Sequence, residues 1–326
     1  NKGNNMNKYT KAGLTALAGS LVAMSAAQAD FAATGSAKMS YTSKNGSGDA
    51  KHTGARWGMD KDITIAGSVE LDMGWTVSTT HTLDNGAGSQ SALTVDMGSM
   101  GALKYQLVDG ALGIGIIDDV LPTADEEAWN GITGTTGRVS VGANGFNYSN
   151  TVSAVSINVG YVPAGIVSTN QTGTVGTVGA GTGTTSIALS GSPMDGLTVY
   201  AGTGNKANAD SVEQEDDLMT YAAVYAYGPV TVGYQFSELD TYNSATDYDT
   251  TGYSIAYAIT DDLSVSYAER TVDIGGNTVD EEQSGISVGY SMGGMTIKAH
   301  NNVVDNVAGA ATDDLEHMEI AVSFAF

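Results

Sequence analysis

The sequence predicts an all-β protein, a 16-stranded antiparallel transmembrane β-barrel. Three observations predict it: segments of about ten residues alternate between apolar and polar side chains, the connections alternate between short and long, and the N-terminus has the features of a secretory signal. The final strand shows the alternation most clearly. One face carries a continuous apolar row, as expected for a lipid-facing wall, and this row consists of Met318, Ile320, Val322, Phe324 and Phe326.

The N-terminal segment predicts export. Lys8 and Lys11 precede an apolar run over residues 12–26, and Ala27 and Ala29 form an A-x-A cleavage site. The predicted division is residues 1–5 upstream and unassigned, 6–29 signal peptide, and 30–326 outer-membrane β-barrel.

Composition narrows the function classes. The chain has 36 acidic against 13 basic residues, a formal net charge of −23, which excludes nucleic acid as a partner. It has no cysteine, so no disulfide stabilises the exported protein. After residue 29 no apolar stretch approaches the roughly 18 residues of a spanning helix, so a membrane form must be built of strands closed into a barrel.

Sixteen segments have strand character. Their apolar parity is clearest in the second half, for example at Val230, Val232, Tyr234 and Phe236. The predicted strands are 33–43, 55–70, 74–83, 91–97, 102–108, 143–150, 154–163, 184–191, 196–204, 218–227, 229–238, 249–259, 262–271, 284–291, 294–303 and 317–326.

The connections are sorted by length. Short turns are predicted at 71–74, 98–101, 150–153, 192–196, 228–229, 260–262 and 291–294. Long loops are predicted between them at 44–54, 84–90, 109–142, 164–183, 205–217, 239–248, 272–283 and 304–316. Up-and-down barrels of the outer membrane have short periplasmic turns and long extracellular loops, and an even strand number leaves both termini in the periplasm.

Acidic clusters lie in the long loops. They are Glu213 with Glu215, Asp216 and Asp217; Asp280 with Glu281 and Glu282; and Asp313 with Asp314 and Glu316. Two interpretations stay open: a hydrated outer surface, or Ca²⁺ or Mg²⁺ bridging carboxylates to one another or to lipopolysaccharide phosphates. No cofactor is otherwise expected to be required.

Several motifs resemble those of the general Gram-negative bacterial outer-membrane porins, most closely the α-proteobacterial type. The stretch from Gly54 to Met59, with Arg56 before Trp57, resembles the family's second strand. Residues 98–106 resemble its tight turn followed by a strand with a basic residue. Residues 118–122, D-D-V-L-P, are similar to its constriction loop. The resemblance implies a homotrimer and a third loop, 109–142, that folds into the barrel opposite a basic wall.

Strand parity agrees with that arrangement. Five basic residues fall on inward positions, where they avoid the cost of about 2 to 4 kcal/mol that a charge has on the lipid face at mid-membrane. The predicted basic wall is Lys38, Arg56, Lys104, Arg270 and Lys298. The predicted acidic loop is Asp109, Asp118, Asp119, Asp125, Glu126 and Glu127.

The expected function is a water-filled channel for passive diffusion of small hydrophilic solutes and ions. The acidic loop and the net charge predict cation preference. The basic wall is thinner than the family pattern, because Asn147 stands where another basic residue is expected.

Three alternatives remain at this stage. A substrate-specific channel would bind its solute in the pore, and a structural or adhesive barrel would not conduct. Catalysis is not expected, because the four histidines have no metal-ligand spacing and no nucleophile motif occurs; a lipid hydrolase stays open only in principle. The remaining expected partners are outer-membrane lipid, lipopolysaccharide and the barrel-assembly machinery, which the resemblance implies would recognise Phe326.

Overall fold

The structure is a computed structural model that describes residues 30–46, 54–107, 111–135, 137, 139, 144–163, 183–207, 215–242 and 247–326. Its 16 strands are β1 (Asp30–Gly46), β2 (Gly54–Glu70), β3 (Thr76–Asp84), β4 (Ala87–Asp96), β5 (Ala102–Leu107), β6 (Gly145–Val152), β7 (Val155–Val162), β8 (Thr184–Met194), β9 (Leu197–Ala207), β10 (Glu215–Tyr227), β11 (Val230–Asp240), β12 (Tyr248–Ala258), β13 (Leu263–Ile274), β14 (Glu281–Met292), β15 (Met295–Asp305) and β16 (Leu315–Ala325). The predicted signal peptide lies outside the described residues.

The strands form one closed antiparallel barrel in which each pairs with its neighbours in sequence, and β1 closes the ring against β16. The predicted fold is therefore confirmed. Gly35 and Phe326 complete the closure through two backbone hydrogen bonds, with N···O distances of 2.7 and 2.9 Å. The terminal strand is thus held to β1 up to its last residue.

The two faces of the wall follow the predicted alternation. Trp57 and Met59 point outward, with 69% and 68% of their surface exposed, and Tyr41 packs against Trp57 at a ring-centroid distance of 5.2 Å. Inward positions are polar and covered: Gln106 and Thr220, for example, are buried. An apolar outer face with a polar inner face is the pattern of a barrel in lipid with a hydrated interior.

Loop sorting holds with one exception. The strand bounds confirm tight turns such as 228–229 and 293–294 at one end of the barrel and longer connections at the other. The prediction of a long loop at 84–90 is wrong, because Asn85 and Gly86 alone connect β3 to β4. Their φ angles of 51° and 90° are those of a two-residue hairpin turn, a structure that the Asn-Gly sequence favours.

The described part of the third loop, residues 111–135 with 137 and 139, lies inside the barrel. Leu112, Ile114 and Ile117 are buried against inward residues of β8 and β10, among them Ala188 and Leu218. Farther along, Ile132 joins a second buried cluster with Val304, Val307 and Leu315. Apolar side chains at both ends thus attach the loop to the wall from within.

No helix in the described part of the chain is long and apolar enough to cross a membrane.

Candidate functional site

A series of inward glycines forms the surface on which the third loop lies. We call Gly160, Gly202, Gly233, Gly252, Gly285 and Gly289, on β7, β9, β11, β12 and β14, the glycine track. A Cβ atom on Gly289 would lie 2.5 Å from the carbonyl oxygen of Ala124, and one on Gly233 would lie 2.5 Å from Cδ of Pro122. Real Cβ contacts are longer, so the loop can approach the wall this closely only because these positions lack a side chain.

Wall side chains bind the loop backbone along the same route. Asn147 accepts from the Gly113 amide at 2.9 Å, and Ser266 accepts from the Ala124 amide at 2.8 Å. Gln235 on β11 both accepts from the Val120 amide and donates to loop carbonyls. These bonds satisfy polar backbone groups that burial would otherwise leave unpaired.

Arg270 does not face open water. It is buried, donates to Gln283 at 3.1 Å and to the carbonyl of Gly137, and lies with its guanidinium carbon 4.5 Å from the ring centre of Trp129. An arginine between an aromatic ring and hydrogen-bond acceptors holds the loop in place. Its inward parity was predicted, but it lies beneath the loop.

Lys298 is bound to a loop carboxylate. Its Nζ lies 3.1 Å from Oδ1 of Asp125, and the other oxygen of Asp125 lies 2.7 Å from Nδ1 of the buried His300. Burial would raise the pKa of Asp125, but the hydrogen bonds and charges of His300 and Lys298 outweigh this and lower it. Lys298 and Asp125 therefore meet as a contact pair instead of facing each other across the lumen.

The other loop acids point in different directions. Asp118 accepts from the Val139 amide at 2.7 Å. Burial raises the pKa of Asp119 to about 9, helped by a side-chain hydrogen bond and the charge of Glu127. This environment favours the protonated form of Asp119. Glu126 is exposed, and Asp109 lies outside the described residues.

The acidic row facing the lumen therefore stays a prediction. Asp118 binds the loop backbone, Asp125 binds the wall, and Glu126 is exposed.

Open space lies on the inward face of strands β1 to β4. A cavity of 760 Å³ is lined by Ser36, Asp60, Asp62, Thr64, Thr82 and Asp84, among others. The carboxylate oxygens of the three aspartates lie within 4.8 Å of one another. Lys38 lies beside this group, 4.0 Å from Asp60 and 3.9 Å from Glu319. Such a cluster can attract and briefly share a passing cation.

Arg56 and Lys104 take inward positions on the same side. Arg56 pairs in register with Thr42 and is exposed, while its neighbour Trp57 faces out. Lys104 pairs in register with Asn147, whose amide faces the loop. Together with Lys38 these residues are the members of the predicted basic wall for which no contact with the described part of the third loop is seen, and Arg56 is exposed.

Sequence reasoning missed several residues of this lumen. Asp60 and Asp62 share the parity of Arg56, and Lys44 shares that of Lys38, so period-two counting could have found them. Lys44 donates to the carbonyl of Gly131 in the loop at 2.5 Å. The glycine track gave no separable signal, because the chain contains 43 glycines.

A family model described as Gram-negative porin matches residues 13–309. The chain belongs to the Gram-negative porin family. This porin is therefore a general outer-membrane channel, and it is similar to the α-proteobacterial members that its motifs resemble. No curated protein matches the sequence.

Solved structures show the same fold. A triple mutant of the porin of Rhodopseudomonas blastica matches with a TM-score of 0.64 at 16% identity, covering 91% of this chain and 100% of that one. An outer-membrane expressed OmpT of Vibrio cholerae matches with a TM-score of 0.64 at 12% identity, covering 91% of this chain and 98% of that one. At these identities the likeness extends to the barrel and not to individual site residues.

Proposed function

We propose that this porin passes small hydrophilic solutes and ions by passive diffusion with a preference for cations. The observation that carries the preference is the cluster of Asp60, Asp62 and Asp84 beside the open cavity. Two residues of the predicted basic wall do not oppose the cation preference, because Lys298 is bound to Asp125 and Arg270 is covered by Trp129. On this side of the lumen the carboxylates of Asp60, Asp62, Asp84 and Glu319 outnumber the basic side chains of Lys38, Arg56 and Lys104, which favours cations.

Reversal potentials across a KCl gradient in planar bilayers test this selectivity. We expect a reversal potential whose sign indicates selectivity for K⁺ over Cl⁻. Its magnitude should be smaller when Asp62→Asn and Asp84→Asn are combined. The matched control changes Asp195→Asn and Asp261→Asn, two exposed acids at the short turns, and should leave the potential nearly unchanged. A wild-type preference for Cl⁻ would contradict the proposal.

Uptake into liposomes distinguishes a general channel from a solute-specific one. A general pore passes sugars at rates that fall with solute size and rise linearly with concentration. Saturation by one solute would favour the specific channel. Catalysis is not part of the proposal, since the family consists of channels, and a lipid hydrolysis assay on the purified protein checks it.

We propose a homotrimer, supported by polar side chains on the outward face of β2 to β4. By strand parity Thr79 and Ser91 lie on the outward face, as does Lys61 at the level of the β3–β4 turn, and Thr79 donates to the carbonyl of Ala92 at 3.0 Å. A lysine facing lipid is costly, so cover by a second subunit accounts for it. The mass of the native protein in mild detergent tests this; a monomer would contradict it.

We also propose how the chain is processed and oriented in the outer membrane. We place residues 6–29 as a cleaved signal peptide, both termini in the periplasm, and lipopolysaccharide around the long-loop end. The N-terminal sequence of the mature protein and protease accessibility in intact cells test these points.

Divalent cations at the acidic loops stay a prediction. Strand register puts like charges opposite each other at that end, as with Asp217 and Asp240, or Glu282 and Asp305. Opposed like charges destabilise a sheet, and Ca²⁺ or Mg²⁺ would neutralise them. A chelator should lower the unfolding temperature of the protein in lipopolysaccharide-containing vesicles; no change would count against it.

A further inference from the structure

A long stretch of the sequence has no charged residue. Residues 139–194 contain no Asp, Glu, Lys or Arg, although the chain has 36 acidic and 13 basic residues. Strands β6, β7 and β8 lie in this stretch, and we call them the neutral sector. They contrast with strands β1 to β4, whose inward face carries the cluster of Asp60, Asp62 and Asp84. The lumen therefore has a charged side and an uncharged side.

The inward side chains of β6 and β7 are hydroxyls and amides. Asn147 faces the loop inside the barrel, and by period-two alternation Ser149 and Thr151 face the same way. Strand register places Asn158 opposite Ser149, and Ser156 opposite Thr151. Each of these side chains can both donate and accept a hydrogen bond. Such a surface can bind the hydroxyl groups of a neutral solute in place of water.

A cavity of 560 Å³ lies against these side chains. Its volume is in the range of known small-molecule sites. Part of its lining is one register row that crosses the wall from β4 to β7, and this row consists of Asp96, Ala102, Ser149 and Asn158. Neighbouring strands thus present their polar groups to the same space.

The third loop lies on the wall beside this cavity. The Gly113 amide donates to Asn147 at 2.9 Å, and the Ile114 amide donates to Ser186 at 3.1 Å. Asn147 in turn donates through Nδ2 to Oδ1 of Asn158 at 3.3 Å. In the described part of the chain Nδ2 of Asn158 has no acceptor. The loop therefore orients, through Asn147, an amide whose donor group remains for a ligand.

The charges next to the cavity balance each other. Asp96 is the only charged residue in its described lining, and Oδ1 of Asp96 already accepts from the Gly98 amide at 2.8 Å. Lys104 lies in the adjacent register row, opposite Asn147. One charge of each sign favours neither cations nor anions. No aromatic ring is among the described lining residues, so hydrogen bonds dominate binding here.

We propose that this cavity is a binding site for neutral polyhydroxylated solutes, that is, sugars and sugar alcohols. Ser149, Thr151, Ser156 and Nδ2 of Asn158 bind the hydroxyl groups of the solute, and the second carboxylate oxygen of Asp96 accepts from them. The inference rests on the proposed channel function, because the solute reaches the cavity through the pore.

Binding at this site is weak. Each hydrogen bond to the solute replaces one to water, and no stacked ring adds to the affinity. We expect half-saturation on the order of 10 to 100 mM. Uptake of a sugar is therefore linear at low concentration, as for any general pore, and levels off only in this higher range.

Current through single channels in planar bilayers tests the site while D-glucose or sorbitol is added on both sides. The current falls with the bulk conductivity of the solution, and we expect a further, saturable fall for both solutes. The test variant combines Thr151→Val with Ser156→Ala. These two hydroxyl oxygens lie 3.3 Å apart and bond to each other, so their joint removal leaves neither unpaired. Half-saturation should shift at least about fivefold higher.

The matched control combines Ser192→Ala with Thr198→Val. This is a second hydroxyl pair with a 3.3 Å separation, on β8 and β9 and outside the lining of the cavity. It should bind glucose as the wild type does. A second variant, Asn158→Asp, keeps the acceptor for Asn147 but loses the Nδ2 donor, and should shift half-saturation about two- to tenfold higher.

Three outcomes overturn the site. They are a wild-type response that follows bulk conductivity alone up to about 500 mM glucose, equal half-saturation in the wild type and both variants, and saturation by glucose without saturation by sorbitol. The last would indicate a site for one solute instead of a class. Absence of any conductance contradicts the channel function instead, so the two failures are distinguishable.

Discussion

Gly289→Ala tests whether the glycine track determines the position of the third loop. The added methyl group would lie 2.5 Å from the carbonyl oxygen of Ala124, and backbone on both sides leaves no side chain to yield. The loop must lift by about 1 Å to reach ordinary van der Waals contact. This displacement strains the bonds from the Ala124 amide to Ser266, 2.8 Å, and from the Asp125 amide to Ser287, 3.2 Å.

Two weakened hydrogen bonds correspond to about 1 to 3 kcal/mol of lost docking free energy. The undocked population of the loop should therefore rise by about five- to 150-fold. The methyl group clashes only with the loop, since its nearest wall atom, Oγ of Ser264, lies at an ordinary contact distance of 3.5 Å. The barrel itself should therefore keep its thermal stability.

Single-channel current in planar bilayers measures the change. We expect the variant to show frequent sublevels or excess current noise at a pH where the wild type is steady. The control is Gly67→Ala on β2, where an added Cβ has no neighbour closer than 3.7 Å. Current traces of Gly289→Ala that match those of the wild type would refute the argument that this glycine is needed for loop docking.

Three further predictions concern the loop and the terminal strand. Leu112→Ala leaves a cavity at a fully buried position where the loop packs on β8 and β10, and should weaken loop docking by about 2 to 5 kcal/mol. Protease should then cleave the third loop faster. An unchanged cleavage rate would contradict this prediction. Burial and Glu127 raise the pKa of Asp119 to about 9, so the docked loop should lose stability as pH rises from about 4 to about 9, with up to a tenfold change in the undocked population per pH unit. Asp119→Asn should remove this pH dependence from the occupancy of conductance sublevels between pH 7 and 9. An unaltered pH dependence would count against the prediction. Deleting Phe326 removes its two backbone bonds to Gly35 and should reduce the amount of protein in the outer membrane more than the conductance of what is inserted; normal membrane levels would argue against an assembly role.

The barrel could be predicted from sequence because its determinants are local. Side chains in a strand alternate with period two, so rows such as Val232, Tyr234 and Phe236 reveal the outward face without knowledge of any partner strand. The prediction of a loop at 84–90 is wrong because both flanking strands extend into it, and the Asn85-Gly86 turn inside it is itself a hairpin signal.

The lumen was less predictable because its determinants are not local. Parity placed Arg270 and Lys298 inward, but parity cannot reveal that Trp129 covers one and Asp125 binds the other. Equally, the resemblance to the family's constriction loop assigns Asp118 and Asp119 to the pore, whereas the direction of their side chains depends on how the loop lies on the wall. Contacts between a loop and strands far along the chain leave no periodic pattern in the sequence.

The sequence separation of these contacts has a consequence for biogenesis. Asp125 binds Ser287 and His300, which follow it by 162 and 175 positions. Contacts of such high order form late, since the ends of a long chain segment must first be brought together. The third loop can dock only after β14 and β15 have joined the wall. The pore of a nascent barrel is thus wider than that of the mature barrel, and the constriction forms last.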